Sequence, residues 1–412
     1  KNKPLLHHEG RYLCPTRVLL NGALLPTMEG LLTTSRPRLA ERYRKHRHDL
    51  LLQTAVEHLL RILPRATSDM KLHYQFEGEQ PELDALIQYD SVLLLLEAKG
   101  APLTPPARRG APDRLKRDLR RVVADAHKQG HRAFRFLSEG SGRFAKEDGT
   151  SLEVDLRNFE EVFVVSLHLE PIGHLTALSH AVDVLGLTTQ EDEQSWMVSL
   201  YDLMVLADII DIPSMLPHYI KRRLRVAKQG FVNAHDELDL FCYYLQDGLF
   251  FDGKNDLGEA DSLTVLSHTV PLDDYYFYIQ GERRQRAEKP KQKMRPVFES
   301  LVKAIEASQL PSRTSVNMAL LDQSGESRRA FCDLVETVRK RFAKDGKLHD
   351  GSVYFKEEGG RGVTFMCGPK ERMEILHQYC NRKRDEMDAK EWYGIADCGR
   401  RSPQICGLVC ET

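Results

Sequence analysis

The sequence predicts an α/β protein, and three observations carry that prediction. Apolar residues recur at helical spacing in one long segment, at Leu52, Val56, Leu59, Leu60 and Leu63. Short apolar blocks rich in Val, Ile, Leu and Tyr follow it, bounded by turn residues. A strongly basic helical segment then separates these blocks from another apolar strand, Glu161 to Leu169. Helix, three strands, helix and strand in that order, closing near Pro171, predict a mixed sheet flanked by helices.

Residues 1–40 mix apolar pieces (Tyr12-Leu13, Val18 to Leu25) with Pro15, Pro26 and Pro37 and are expected to form an extension with a strand or two beside the core. The helix from about Arg38 to Leu63 opens basic, with Arg42, Arg44, Lys45 and Arg47, and turns apolar; Glu57 borders its apolar face. Lys71 to Phe76 reads as the first strand. Pro81 to Gly100 then holds two apolar runs on either side of Asp90-Ser91, whose turn chemistry predicts a β-hairpin. With that turn Tyr89 pairs with Val92, and counting outward sets Asp84 opposite Glu97, with Cβ atoms roughly 5 Å apart. Lys99, two residues beyond Glu97, returns to the same face.

Two carboxylates this close repel each other, so an apolar hairpin that carries both implies a cation between them. Magnesium suits the site, because it takes one or two carboxylates with carbonyl, water and phosphate oxygens. The expected ligands are Asp84, Glu97 and the backbone carbonyl of Ala98. Lys99 would then act on the attacking water or on the charge that develops on a phosphodiester.

Asp84 and Glu97-Ala98-Lys99 resemble the signature of the PD-(D/E)xK phosphodiesterases, most of all the nuclease-related domain. The helix His48 to Leu63 with Glu57, the strand Lys71 to Phe76, the strand with Asp84 and the strand with Glu-x-Lys follow that family's order. No proline immediately precedes Asp84; Pro81 stands three residues earlier. The resemblance covers roughly Arg42 to Pro171. It implies a restriction-endonuclease-like αβββαβ core over residues 41–173. It also implies a nuclease dependent on Mg2+ or Mn2+ that hydrolyses DNA, with Asp84, Glu97, Lys99 and Glu57 as catalytic residues. By the same analogy such an enzyme suits bacterial restriction or phage defence. No Gly-x-x-x-x-Gly-Lys-Ser/Thr loop is present, so a motor or other defence-system protein would be a separate chain. The alternative is a non-catalytic nucleic-acid-binding or assembly protein whose nuclease-like core is inert.

After Gly100 a Pro-rich loop leaves the site. The helix from about Asp113 to Gln129 follows, with Arg114, Arg117 and Arg121 as candidate contacts to DNA phosphates. Arg132 to Leu137 reads as a further strand. Residues 174–290 are expected to be mainly helical, with helices at Trp196 to Ile210 and Pro213 to Arg225 and with Asp236 to Asp239 as helix capping. Gly281 to Arg295 reads as a polar connector. Residues 291–412 are expected to be an α/β module. It has helices at Val297 to Ser308 and Glu326 to Asp345, a hairpin of Gly351 to Phe355 with Gly362 to Met366, a long helix from Pro369 to about Glu391 and a terminal strand at Ile405 to Val409.

Composition limits the alternatives. With 412 residues, 29% charged, 41% hydrophobic and a formal net charge of −1, the chain carries no global basic coat, so any nucleic-acid surface must be local. No apolar run approaches the ~18 residues of a membrane span, and no signal-peptide core follows the N-terminal lysines, which predicts a cytoplasmic protein without membrane partner. The eight cysteines include no Cys-x-x-Cys pair and are expected to be free thiols, not zinc ligands.

Overall fold

A computed structural model describes residues 5–14, 17–35, 37–101, 103–108, 111–139, 142–169, 195–251, 262–355 and 360–411. At the N-terminus two short strands, β1 (Leu6–His8) and β2 (Arg11–Leu13), pair only with each other and are exposed throughout. Val18 to Leu25 is not a strand beside the core: it lies in helix α1 (Arg17–Ser35), which tolerates Pro26 in its interior. Helix α2 (Pro37–Ile62) starts on a proline, whose fixed φ suits a first helical turn, and stops before Pro64. Glu29 of α1 accepts hydrogen bonds from Tyr43 and Arg47 of α2 and fastens the two helices together.

The main sheet follows. Strands β3 (Thr67–His73), β4 (Glu82–Tyr89) and β5 (Val92–Lys99) form an antiparallel meander. The β4–β5 register is the expected one, with Tyr89 opposite Val92 and Ala85 opposite Leu96. Asp90 takes the left-handed turn conformation, φ +49°. Beyond the short helix α3 (Pro105–Arg108), helix α4 (Pro112–Leu119) runs through a π-helical turn, Arg120–Ala124, into α5 (Asp125–Glu139). Arg132 to Leu137 is therefore helix rather than strand. The helix expected to end at about Gln129 runs on through Gly130, where a Cβ would stand 2.3 Å from Val164 Cγ1; the missing side chain lets the helix approach the sheet.

A small hairpin, β6 (Arg143–Ala145) and β7 (Ser151–Glu153), extends one edge of the sheet. Strand β8 (Glu161–His168) pairs in parallel with β5, and β9 (Trp196–Ser199) in parallel with β8. The seven strands stand in the order β7-β6-β3-β4-β5-β8-β9, a large mixed sheet flanked by helices. Trp196 to Ser199 was expected as helix, and as strand β9 it carries the sheet beyond residue 173. Ser199 then caps α6 (Leu200–Ile209) by accepting from Asp202 N–H at 3.1 Å.

The middle region continues with α7 (Met215–Gln229), β10 (Val232–Ala234), α8 (Glu237–Asp247), β11 (Leu263–Val265) and α9 (Val270–Ile279). Asp236 caps α8 as expected, accepting from Asp239 N–H at 2.9 Å. No helix or strand lies between Gly281 and Arg295, in keeping with a connector. Helices α10 (Pro296–Ala307), α11 (Arg313–Leu321) and α12 (Gly325–Asp345) follow; α11 is buried along its whole length, Arg313 and Asn317 included, and so has no solvent-exposed face to give an amphipathic period. Strands β12 (His349–Phe355) and β13 (Arg361–Cys367) form the expected hairpin. The long helix expected after Pro369 is shorter: a 3-10 turn leads into α13 (Leu376–Met387), Asp388 ends it at φ +49°, and Glu391 already belongs to strand β14 (Glu391–Asp397). With β15 (Ile405–Glu411), β12-β13-β14-β15 form a four-stranded sheet in which β13 and β14 are parallel. One apolar cluster joins α2 and the main sheet to the middle helices and this second sheet, from Leu51 through Trp196 and Phe298 to Ile395.

Candidate active site

The site lies where β4 and β5 part. Their backbone ladder ends at Ala85 and Leu96, and the carboxylate of Asp84 takes over as acceptor, receiving the Ala98 N–H at Oδ2 at 2.7 Å. Opposite Asp84 on the other side, Lys71 of β3 lies in the left-handed region, φ +54°, and interrupts the β3–β4 ladder between Met70 and Leu72. A lysine in that conformation is strained, and strain of this kind collects at functional sites. The other Asp84 oxygen stands 3.6 Å from His48 Nε2 of α2. That contact holds the imidazole pKa above its ordinary value although burial opposes it.

Glu97 is 1% exposed. Its Oε1 has no hydrogen-bond partner, and Oε2 lies 3.7 Å from Lys99 Nζ. Burial pushes the Glu97 pKa well above the usual carboxylate range and the neighbouring Asp84 pushes it further, while Lys99 and Arg132 offset part of the effect. The Lys99 ammonium also donates to Gln129 Oε1 of α5. Glycines stand at two close approaches around the site. At Gly130 a Cβ would come 2.3 Å from Val164 Cγ1, and at Gly100 one would come 3.2 Å from His48 Cα.

The structure thus brings Asp84, Glu97, Ala98 and Lys99 together, and leaves Glu57 out. Glu57 is exposed and accepts from Gln53 Nε2 at 3.0 Å. It follows His48 by nine residues of α2, about two and a half turns, and therefore points to the opposite side of the helix. His48 occupies the place that the sequence reading gave to Glu57. Gln129 was missed as well: neither residue belongs to a short motif, and only the depth at which α2 and α5 cross the strands reveals them.

Arg114, Arg117 and Arg121 are exposed and, three and four residues apart, share one face of α4 and the π-turn. Arg117 Nε donates to Asp113 O at 3.3 Å and Arg121 lies 3.7 Å from Asp118. Asp118 is buried and accepts Thr104 N–H at 2.6 Å, which fixes this basic helix to the loop leaving the site.

Among the described residues no group of three or more His, Cys, Asp or Glu side chains is arranged to hold a metal ion. The donors present are two carboxylates. They fit a hard cation that completes its shell with carbonyl, water and phosphate oxygens, and the orphaned Glu97 Oε1 is the atom that such an ion would satisfy. Among the described residues, too, no helix is long and apolar enough to cross a membrane. No family model, no curated protein and no solved structure matches the chain.

Proposed function

We propose that the chain is a metal-dependent nuclease that hydrolyses phosphodiester bonds in DNA, built on a restriction-endonuclease-like core of α2, β3, β4, β5, α4–α5 and β8. The observation that carries this reading is the buried Glu97 carboxylate, whose Oε1 has no partner although Asp84 and Lys99 stand beside it. An inert core has no reason to keep such a group, because a buried carboxylate without hydrogen bonds costs several kcal/mol, roughly 3 or more. Asp84, Glu97 and the Ala98 carbonyl would hold Mg2+ or Mn2+, which when bound lowers the pKa of water and neutralises phosphate charge.

The chain's own groups have separate tasks. Gln129 holds the Lys99 ammonium at the mouth of the site, where it pairs with a non-bridging phosphate oxygen and stabilises the charge that grows there during in-line attack. His48 and the Ala98 N–H orient the Asp84 carboxylate. Arg114, Arg117 and Arg121 hold the DNA backbone over the site without reading sequence.

Incubating the full chain with supercoiled plasmid tests the reading. Nicking with Mg2+ or Mn2+ that chelation abolishes, and that Asp84→Ala abolishes, is the expected result. A folded wild-type chain that leaves plasmid intact with either metal returns the core to the non-catalytic alternative.

A further inference from the structure

The four-stranded sheet gathers positive charge at one end. Strands β13 and β14 are parallel, and their last residues, Cys367 and Asp397, are register partners. In open α/β sheets the crevice outside the carboxyl ends of parallel strands is where ligands bind. Three segments meet at this end: the close of α12 and the turn after it, the turn after β13, and the loop 398–404 after β14. They carry Arg341 and Lys344, Lys347, Lys370, and Arg400 and Arg401, all exposed. Among the described residues none of these six cations has a carboxylate within 4 Å. Their acidic neighbours Glu371 and Glu374 do not reach them, and Asp345 is taken up by the Lys347 backbone N–H and by His349. In a chain of net charge −1 this is a local excess.

The loop that presents Arg400 and Arg401 is held in shape. The buried Asp397 carboxylate accepts Gly399 N–H and Gln404 N–H, both at 2.8 Å, and pairs with Arg339. Cys398 N–H closes the neck on Gln404 O at 2.9 Å. A Cβ on Gly399 would meet Ser402 O at 1.9 Å, so only glycine allows this turn. Arg400 reaches across to α12, its guanidinium 5.7 Å from the centre of the Phe342 ring. Fixing the loop backbone, and Arg400 on Phe342, removes part of the entropy cost of binding an anion. Cations spread over three segments on an exposed surface match an extended polyanion, since a small ligand needs an enclosing pocket.

We propose that this end of the C-terminal sheet binds the phosphate backbone of duplex DNA, as a second contact distinct from the Asp84–Glu97–Lys99 site. The choice of DNA as the polyanion rests on the nuclease reading. Arginine suits the task because its planar fork pairs with phosphate oxygens two at a time.

The test uses the full chain in EDTA with a fluorescein-labelled duplex, followed by anisotropy across a salt series, and compares wild type with Arg400→Glu/Arg401→Glu and the milder Arg400→Gln/Arg401→Gln. Loss of two phosphate contacts should weaken affinity at least about tenfold and reduce the log-log salt slope by about 2. Circular dichroism melting confirms that the variants fold. Plasmid nicking is measured separately with Mg2+ at saturating protein, where both variants should still cut. An unchanged affinity and slope in both variants overturns the surface, as does a wild-type chain that binds no duplex. Poly-glutamate binding that depends on Arg400 and Arg401 while duplex binding does not also overturns it. A wild-type chain that binds DNA through Arg400 and Arg401 yet never nicks sustains the surface and sinks the nuclease reading.

Discussion

The β4–β5 hairpin has two ends, and each holds buried carboxylates in opposite condition. At the turn, Asp90 accepts Ser312 N–H at 3.1 Å and Thr314 N–H at 2.8 Å and lies 3.3 Å from Arg313. Next to it Glu306 accepts from Tyr89, Ser214 and Asn317. Five residues up β5 from Val92, about 17 Å of extended strand, Glu97 leaves one oxygen without any partner. The same strands therefore set a fully partnered structural acid beside the acid that the proposed function requires. At the turn, charge is spent on docking the hairpin to α11; at the other end it is kept available.

The largest expected effect lies at the open end. Lys99→Ala should cut turnover by about 10²–10³, the range seen when one group that stabilises transition-state charge is removed, while calorimetric titration with Mn2+ shows metal affinity within a few-fold of wild type. Asp84→Ala should lose both affinity and cleavage, because it removes a ligand and the acceptor for Ala98 N–H. Near wild-type cutting by the Lys99 variant would erase the difference between the two ends.

At the turn the effect should be on folding alone. Asp90→Ala leaves two backbone N–H groups without their acceptor and takes one of two carboxylates from Arg313, which keeps Glu306; it should lower stability by about 3 kcal/mol, the usual cost of removing one member of a buried pair, with metal affinity unchanged. Glu97→Gln should do the reverse. Without metal it relieves a buried, repelled carboxylate, and urea melts should show the chain more stable by about 3 kcal/mol at neutral pH; adding Mn2+ should stabilise wild type and leave this variant unmoved. A Glu97→Gln chain less stable than wild type would mean that Glu97 is a structural acid after all.

The site was legible in the sequence where its geometry is local. The two-residue period of a strand and the Asp90-Ser91 turn are enough to predict Asp84 against Glu97-x-Lys99, and the structure keeps that register from Tyr89 and Val92 as far as Ala85 and Leu96, one pair short of Asp84. What depended on how helices cross the sheet was not legible. Glu57 and His48 share one helix, and only the rotation of α2 on the strands decides which of them faces Asp84. The helix expected to stop at about Gln129 continues to Glu139, and the close approach to Val164 that Gly130 permits is a tertiary contact with no local mark. Trp196 to Ser199 fits a helical period as well as a strand, and its parallel partner β8 lies 31 residues earlier at the nearest register pair, Val165 with Trp196. The parallel pair β13 and β14 likewise escaped notice: Glu391 to Asp397 follows a charged helix with no glycine or proline to mark the change.

Asp202 lies between the two extremes and gives the smallest expected effect. Its carboxylate accepts Ser199 Oγ–H at 2.7 Å and the backbone N–H of the same residue, and among the described residues no cation reaches it; burial raises its pKa to about 6, with Glu237 and Asp236 adding to the rise. A carboxyl whose pKa is higher folded than unfolded binds its proton more tightly in the folded chain. Its favourable contribution is complete below the unfolded value near 4 and is lost as pH rises through about 6. Stability from urea melts should thus carry a fall of about 2 kcal/mol between pH 4 and 6 that Asp202→Asn removes. If the Asn variant keeps the wild-type slope across that window, partner count does not rank the buried acids of this chain, and the orphaned oxygen of Glu97 loses its weight as a sign of function.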